Sequence, residues 1–302
     1  MQKTILSTSE VARLFKVSES TVKRWADEGM LRCQKSPGGH RKFEVRSVVE
    51  FAERSKFEPA GALEFPTQDG LSIKTEASIL RRDFKGLSEI FVEKALTPER
   101  TDLFLFLSYL YQHRIQLWEI YDHVIRPGMH EIGERWVRGE IGINHERHAS
   151  YETLDAMAKL QAQILIKPPT GSLALFACTG GELHEIGLRA ACNLFESEGW
   201  MTHYLGAGTP REAVMAAVIE MKPAAVCLSF TRGELVRENT AYLEEMAAAV
   251  HSADGWLLMG GGAAGENKEH LRVFDQVLAS AQSLLDFISG KRRRNPAQAI
   301  AT

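Results

Sequence analysis

In the first 56 residues the apolar positions recur at three-four spacing in two short stretches, each announced by hydroxyl residues. Ser7-Thr8-Ser9-Glu10 predicts a cap for a helix over 11–15, with a turn at Lys16-Val17. Ser18 predicts the cap of a second helix over 19–28, which Gly29 ends. Val22 and Trp25 lie three apart and fall on the core side, which leaves Thr21, Lys23 and Arg24 outward. Two short strand patterns, 31–35 and 40–45, then flank Ser36-Pro-Gly-Gly39, the pattern of a wing built on a tight turn. A third helix is expected from Ser47 to about Lys56.

The periodicity changes twice further on. Residues 57–75 hold Pro59, Gly61, Pro66 and Gly70 with little repeat, and read as a linker. Residues 76–168 carry helical stripes: Phe104, Leu107, Leu110 and Tyr111; Trp118, Tyr121 and Ile125; Leu154, Met157, Leu160 and Ile164. A bundle of four or so helices buries such stripes. From 171 to 290 strand-like runs (173–178, 202–205, 224–230, 256–259) alternate with helical ones, which argues for a doubly wound, flavodoxin-like parallel sheet. The fold class expected is therefore multidomain: winged helix-turn-helix (1–56), linker, four-helix bundle, α/β domain. Residues 291–302, opening on Lys291-Arg-Arg-Arg294, read as a basic tail.

Charge sharpens the first segment. The chain of 302 residues has a formal net charge of -3, yet residues 1–56 hold twelve Lys and Arg against seven Asp and Glu. A basic second helix beside a basic wing suits DNA, since such helices enter the major groove while cationic side chains meet phosphates. The candidates are Thr21, Lys23 and Arg24 on the helix and His40, Arg41 and Lys42 on the wing. Four widely spaced cysteines, with no Cys-x-x-Cys pair, suggest neither a disulfide framework nor a zinc site. No apolar run reaches membrane-spanning length and no stretch reads as a signal peptide, so a cytoplasmic protein is expected, with no membrane partner.

The candidate chemistry sits at the ends of the later strands. Glu182-Leu-His-Glu-Ile-Gly187 follows the first strand and opens a helix, where open α/β sheets bind ligands. His184 can offer a ring nitrogen to a metal while Glu182 orients the other nitrogen. Ser229 and Thr231 end the third strand and Gly260-Gly261-Gly262 the fourth. Small and hydroxyl-bearing strand ends leave a slot for a long ligand tail. The first strand-helix turn lacks Gly-x-Gly-x-x-Gly spacing, so a dinucleotide site is disfavoured. A catalytic nucleophile-base pair with a third orienting group is not found, and an enzyme is not expected.

These motifs resemble known families. Ser9-Glu-Val-Ala-Arg-Leu-Phe-Lys-Val-Ser-Glu-Ser-Thr-Val-Lys-Arg-Trp25, with Gly38-Gly39-His40-Arg41, resembles the winged helix-turn-helix of the MerR family. Glu182-x-His184-x-x-Gly187 resembles the Asp-x-His-x-x-Gly signature of cobalamin-binding domains, with glutamate for aspartate. That resemblance implies His184 as lower cobalt ligand, with the displaced dimethylbenzimidazole tail lodged between residues such as Ser229, Thr231, Gly260 and Gly261. The run from Tyr121 through Trp136 to His148 resembles the helical cap over the upper face of cobalamin, with Trp136 as its lid. The whole order resembles CarH/LitR-type light-dependent repressors. It implies adenosylcobalamin, a homo-oligomer (dimer or tetramer) on double-stranded operator DNA, and a light switch. Two positions depart from that pattern. Val137 follows the lid tryptophan where those photoreceptors have histidine, and Arg147 stands for the histidine of a Glu-His pair whose Glu146 is kept. His145 and His148 flank that position. A regulator sensing haem or a bilin, a regulator without cofactor, and a corrinoid methyl carrier remain as alternatives.

Overall fold

The computed structural model describes residues 5–55, 71–97, 102–265 and 271–290, so the expected basic tail and most of the linker lie outside the described residues. The chain divides into two compact units, 1–94 and 95–302.

In the first unit, β1 (Ile5–Ser7) leads into α1 (Thr8–Leu14), and Ser7 and Glu10 form a reciprocal capping box. Ser18 caps α2 (Glu19–Asp27) by accepting from Thr21 N at 3.2 Å. Each such cap is worth about 1 kcal/mol. Gly29 then reverses the chain at φ +72°, which a side chain would resist. β2 (Gln34–Lys35) and β3 (Arg41–Glu44) pair antiparallel, and β1 joins the other side of β3 in register Leu6 to Phe43, giving the order β1-β3-β2. The strands are shorter than the pattern suggests, and β1 escapes it, because three residues are too few to show alternation. α3 spans Val45–Ser55 and α4 Leu71–Arg81. Phe15, Trp25 and Phe51 meet at 4.9–5.7 Å between ring centroids in a core that also takes Val22, Leu31, Phe43 and Ala77. α4 therefore packs on α1 and α3, inside the first unit, although its sequence begins the stretch expected to form a bundle. α5 spans Phe84–Ala95.

The second unit opens with helices. α6 (Asp102–Gln112) and α9 (Ile143–Gln161) pack together. Between them α7 (Leu117–Glu119) runs into a π-helical turn, Ile120–Ile125, and then α8 (Arg126–Val137) as one rod. The α/β layer comes next: β4 (Leu173–Thr179), α10 (Ile186–Ser197), β5 (Met201–Thr209), α11 (Arg211–Met221), β6 (Ala225–Ser229), α12 (Gly233–Glu238), α13 (Thr240–Ser252), β7 (Trp256–Gly260), β8 (Gln276–Val277) and α14 (Ala281–Gly290). The sheet is parallel throughout, in the order β5-β4-β6-β7-β8. Relative to its first strand this is the flavodoxin-like 2-1-3-4-5 winding, whose order reverses between β4 and β6. Strands β4 and β6 are almost wholly buried, as central parallel strands must be. Cys178, Cys192 and Cys227 are buried, and no cysteine among the described residues is in a disulfide.

The helical part is tied to one face of this layer. Tyr121, inside the π-helical turn, accepts from Asn193 Nδ2 of α10 at 2.8 Å, and Met157 O accepts from the same amide at 3.3 Å. The carboxylate of Asp122 accepts from Ala281 N and Gln282 N at 2.8 and 2.9 Å, capping α14 from outside. Arg126 donates to Ala279 O at 2.7 Å, and Gln161 donates to Glu196. π-helical turns concentrate at functional positions, and here the extra residue aims two adjacent side chains at two different helices.

Candidate functional site

Glu182 is the centre of the site. It follows the left-handed turn Gly180-Gly181, where a side chain on Gly180 would overlap the Asn239 amide. Its side chain is buried, 1% exposed, while that of His184 is 71% exposed. Glu182 Oε1 accepts from Leu183 N and His184 N, both at 2.9 Å, and from His184 Nδ1 at 2.7 Å. Oε2 accepts from Thr231 N at 2.6 Å and Thr231 Oγ1 at 2.7 Å. Burial alone raises a carboxyl pKa; here the donors from Thr231 and His184 outweigh it and hold Glu182 below the usual value. An ionised Glu182 requires a proton on His184 Nδ1, which leaves Nε2 as the outward, lone-pair nitrogen.

The loop is braced on both sides. Toward β6 the brace is Glu182 on Thr231. Toward β5, Gly208 N donates to Glu182 O at 3.0 Å, and Glu185 accepts from Tyr204 Oη at 2.9 Å and Ala207 N at 3.2 Å. The guanidinium of Arg189 lies 3.6 Å from the Tyr204 ring centroid. His184 thus stands at the switch point between β4 and β6, on a loop tied to both neighbouring strands. Glu185 and Tyr204 have no place in the sequence motif; the only signal was a second carboxylate next to the histidine.

The expected slot residues separate into two kinds. Gly187 faces Ser229, since a Cβ there would lie 3.8 Å from Ser229 Oγ, and Ser229 is buried. Gly260 also leaves room, with Leu278 O 3.7 Å from a Cβ position. Gly261 and Gly262 have a different reason to be glycine. A Cβ on Gly261 would overlap the Phe230 carbonyl, and one on Gly262 would lie 2.8 Å from Thr231 O, so the ends of β6 and β7 meet there backbone to backbone. Thr231, expected along the slot, spends its hydroxyl on Glu182.

On the helical side, Trp136 is the next-to-last residue of α8 and is 45% exposed, and Val137 is exposed beside it. Glu146 accepts from Ser150 Oγ at 2.9 Å. His145 turns back to accept from Gly142 N at 3.3 Å, and Arg147 is exposed. His148 is partly buried, and its Nε2 is sealed from solvent without a hydrogen-bond partner. It lies two residues from Glu146, so the two point to opposite sides of α9.

The DNA-facing candidates divide as well. Lys23, Arg24, His40 and Lys42 are exposed, and Lys23 pairs loosely with Glu19 at 3.7 Å. Thr21 Oγ1 lies 2.9 Å from the Ser18 cap hydroxyl. Arg41 is drawn back onto Asp27 at 2.5 Å. Residues Ser7 to Ser9, the side of α2 and the hairpin border an open cavity of about 470 Å³ with Lys23, His40, Arg41 and Lys42 in its wall.

Among the described residues no group of three or more His, Cys, Asp and Glu side chains could hold a metal alone. His184 can therefore give one ligand, and a metal here needs its others from a macrocycle or solvent. The donor set fits a cobalamin: one presented imidazole nitrogen on a loop at the C-terminal ends of the strands.

Comparison with known proteins agrees with this geometry. Residues 5–56 match the helix-turn-helix domain family, 172–284 the B12 binding domain, and 105–160 a second B12 binding domain family. Helix-turn-helix unit, helical B12 segment and B12-binding α/β layer together define a cobalamin-binding transcriptional regulator. Within that class the chain is similar to the CarA and CarH repressors. It is 26% identical over 247 residues to the HTH-type transcriptional repressor CarA of Myxococcus xanthus, covering 79% of this chain and 81% of CarA. It is 23% identical over 240 residues to the repressor CarH of the same organism, covering 72% and 76%. In fold it is similar to the monomethylamine corrinoid protein of Methanosarcina barkeri (TM-score 0.57, 13% identity, 68% of this chain and 99% of that one). Among the described residues no helix is long and apolar enough to cross a membrane.

Proposed function

We propose that the chain is a cytoplasmic repressor that binds double-stranded operator DNA through its first unit and holds adenosylcobalamin at the C-terminal edge of its sheet. His184 is the lower cobalt ligand, Glu182 and Thr231 hold its Nδ1 side, and Gly187, Ser229, Gly260 and Gly261 border the tail. Trp136 and Glu146 face the upper ligand. The observation that carries this reading is the 2.7 Å bond from His184 Nδ1 to the buried Glu182, which turns Nε2 outward on an exposed loop.

An alkylcobalamin brings a photolabile cobalt-carbon bond, and that is the chemistry it supplies when bound. The protein's own residues set the response to light. Val137 has no donor atom, so position 137 cannot offer a ligand to cobalt, and His148 points away from Glu146. A light response in this chain therefore runs without the histidine that follows the lid tryptophan in CarH/LitR-type photoreceptors. Cofactor-dependent pairing into dimers or tetramers presents several helix-turn-helix units to one operator and multiplies affinity. A corrinoid methyl carrier shares the α/β fold but gains nothing from a DNA-binding unit.

The test is the absorption spectrum of the protein mixed with adenosylcobalamin, before and after green light. A protein-liganded cobalamin spectrum is expected, shifted by His184→Ala toward a base- or water-liganded form. A protein that ignores adenosyl-, methyl- and hydroxocobalamin alike overturns the reading. A haem or bilin spectrum in the purified protein would replace it with another tetrapyrrole.

A further inference from the structure

Arg41 looks from the sequence like one more cation on the wing, beside His40 and Lys42. It lines the same cavity as they do, but strand geometry gives its side chain a different direction. Successive side chains on a strand face opposite sides, so Arg41 shares the face of Phe43, which is fully buried, while Lys42 takes the solvent face. The Arg41 side chain is only 18% exposed. Its Nη2 donates to Asp27 Oδ1 at 2.5 Å, and its Nε is sealed from solvent with no acceptor. The Nε–Nη2 edge, one of the two by which a guanidinium grips a phosphate with paired hydrogen bonds, is closed.

We propose that Arg41 is not a phosphate contact but a strut. With Asp27, the last residue of α2, it sets the angle between that helix and the hairpin. Both ends of the strut are elements that must meet the duplex together, so the pair acts on DNA by positioning Lys23, His40 and Lys42 around the cavity that Arg41 also lines. The hydrogen bond from Arg41 holds the Asp27 carboxyl below its ordinary value, so the pair stays ionised at neutral pH. The proposal rests on the reading of the first unit as DNA-binding.

The sign of one substitution tests it. Removing a carboxylate beside DNA strengthens binding if electrostatics alone act. The strut predicts the opposite: Asp27→Asn in the full-length protein weakens binding to a fluorescent generic duplex about three- to tenfold. Arg41→Gln weakens it comparably, the double variant is no weaker than either single one, and the slope of log K against log salt is unchanged. Lys42→Gln, by contrast, flattens that slope by about 0.9. Asp27→Asn is isosteric at a half-exposed site, so the test stands even if Arg41→Gln folds poorly. If Asp27→Asn binds as tightly as wild type or tighter, or Arg41→Gln flattens the slope as Lys42→Gln does, the strut is wrong. A wild-type protein that binds no duplex at low salt would instead remove the DNA-binding reading itself.

Discussion

A buried carboxylate that accepts five hydrogen bonds controls one exposed imidazole, and most of the candidate site's behaviour derives from that pair. Glu182→Gln keeps the shape but replaces one acceptor oxygen with a donor that faces donors already in place. Cobalamin retention should fall about 10- to 100-fold, as for other outer partners of metal-ligating histidines. Unfolding of the α/β layer should lose about 2–4 kcal/mol; equilibrium dialysis and urea titration measure the two effects. The pH dependence has a definite sign. The Glu182 pKa is lowered in the folded protein, so its contribution is complete above the ordinary glutamate value and is lost as pH falls through the lower folded value. Wild-type stability should therefore decline on an acid limb below about pH 4.3, and Glu182→Gln should flatten that limb. The sequence made His184 and Glu182 legible because they are two residues apart on one loop. It hid the role of Thr231, 49 residues from Glu182, and that of Glu185 toward Tyr204, because those contacts exist only after β4, β5 and β6 are laid side by side.

At the level of elements, periodicity read the long helices and the central strands well, since burial on one stripe or both faces leaves a strong pattern. It missed β1 and β8, which are too short to show one, and it gave α4 to a bundle when its apolar face completes the core of the first unit. α12 and α13 meet at a break that periodicity does not mark, with Asn239 between them donating its side-chain amide to Leu235 O at 2.6 Å. The π-helical turn was invisible because a single inserted residue shifts the stripe by less than the tolerance of the pattern. Its role can be measured. Asp122→Asn should weaken the external cap on α14, costing about 1 kcal/mol, and hydrogen exchange at Ala281 and Gln282 should speed up while β4 stays protected. The cap helices have their own test. Trp136→Ala or Glu146→Ala should change adenosylcobalamin retention, whereas Val137→Ala, at an exposed site, should not. Equal retention in all three would remove Trp136 from the role of lid.

As a whole molecule the chain is two units, each with its own core, and only the second carries the cobalamin-family match. A ligand that binds one folded unit stabilises that unit alone. Calorimetry with and without cobalamin should therefore raise the transition of 95–302, by about 2.7 kcal/mol at a hundredfold excess over Kd, and leave that of 1–94 in place. A uniform shift of both would show that the units unfold as one.

The joints between the helical part and the α/β layer have one further consequence. Arg126 anchors α8 at its first residue, and Trp136 sits ten residues on, about 15 Å away. Met157 and Gln161 anchor α9 near its end, and Glu146 sits about 16 Å back from Met157. Both residues proposed for the upper face thus stand at the far end of one helical hairpin, where α8 and α9, packed on each other, are joined by 138–142. Such a hairpin is a lever: a rotation of about 10° at its base sweeps the far end by about 2.5 Å over an arm of that length. A small displacement of that end is felt at the base as torque on Asn193 and on the start of α14, rather than as a shift of the sheet.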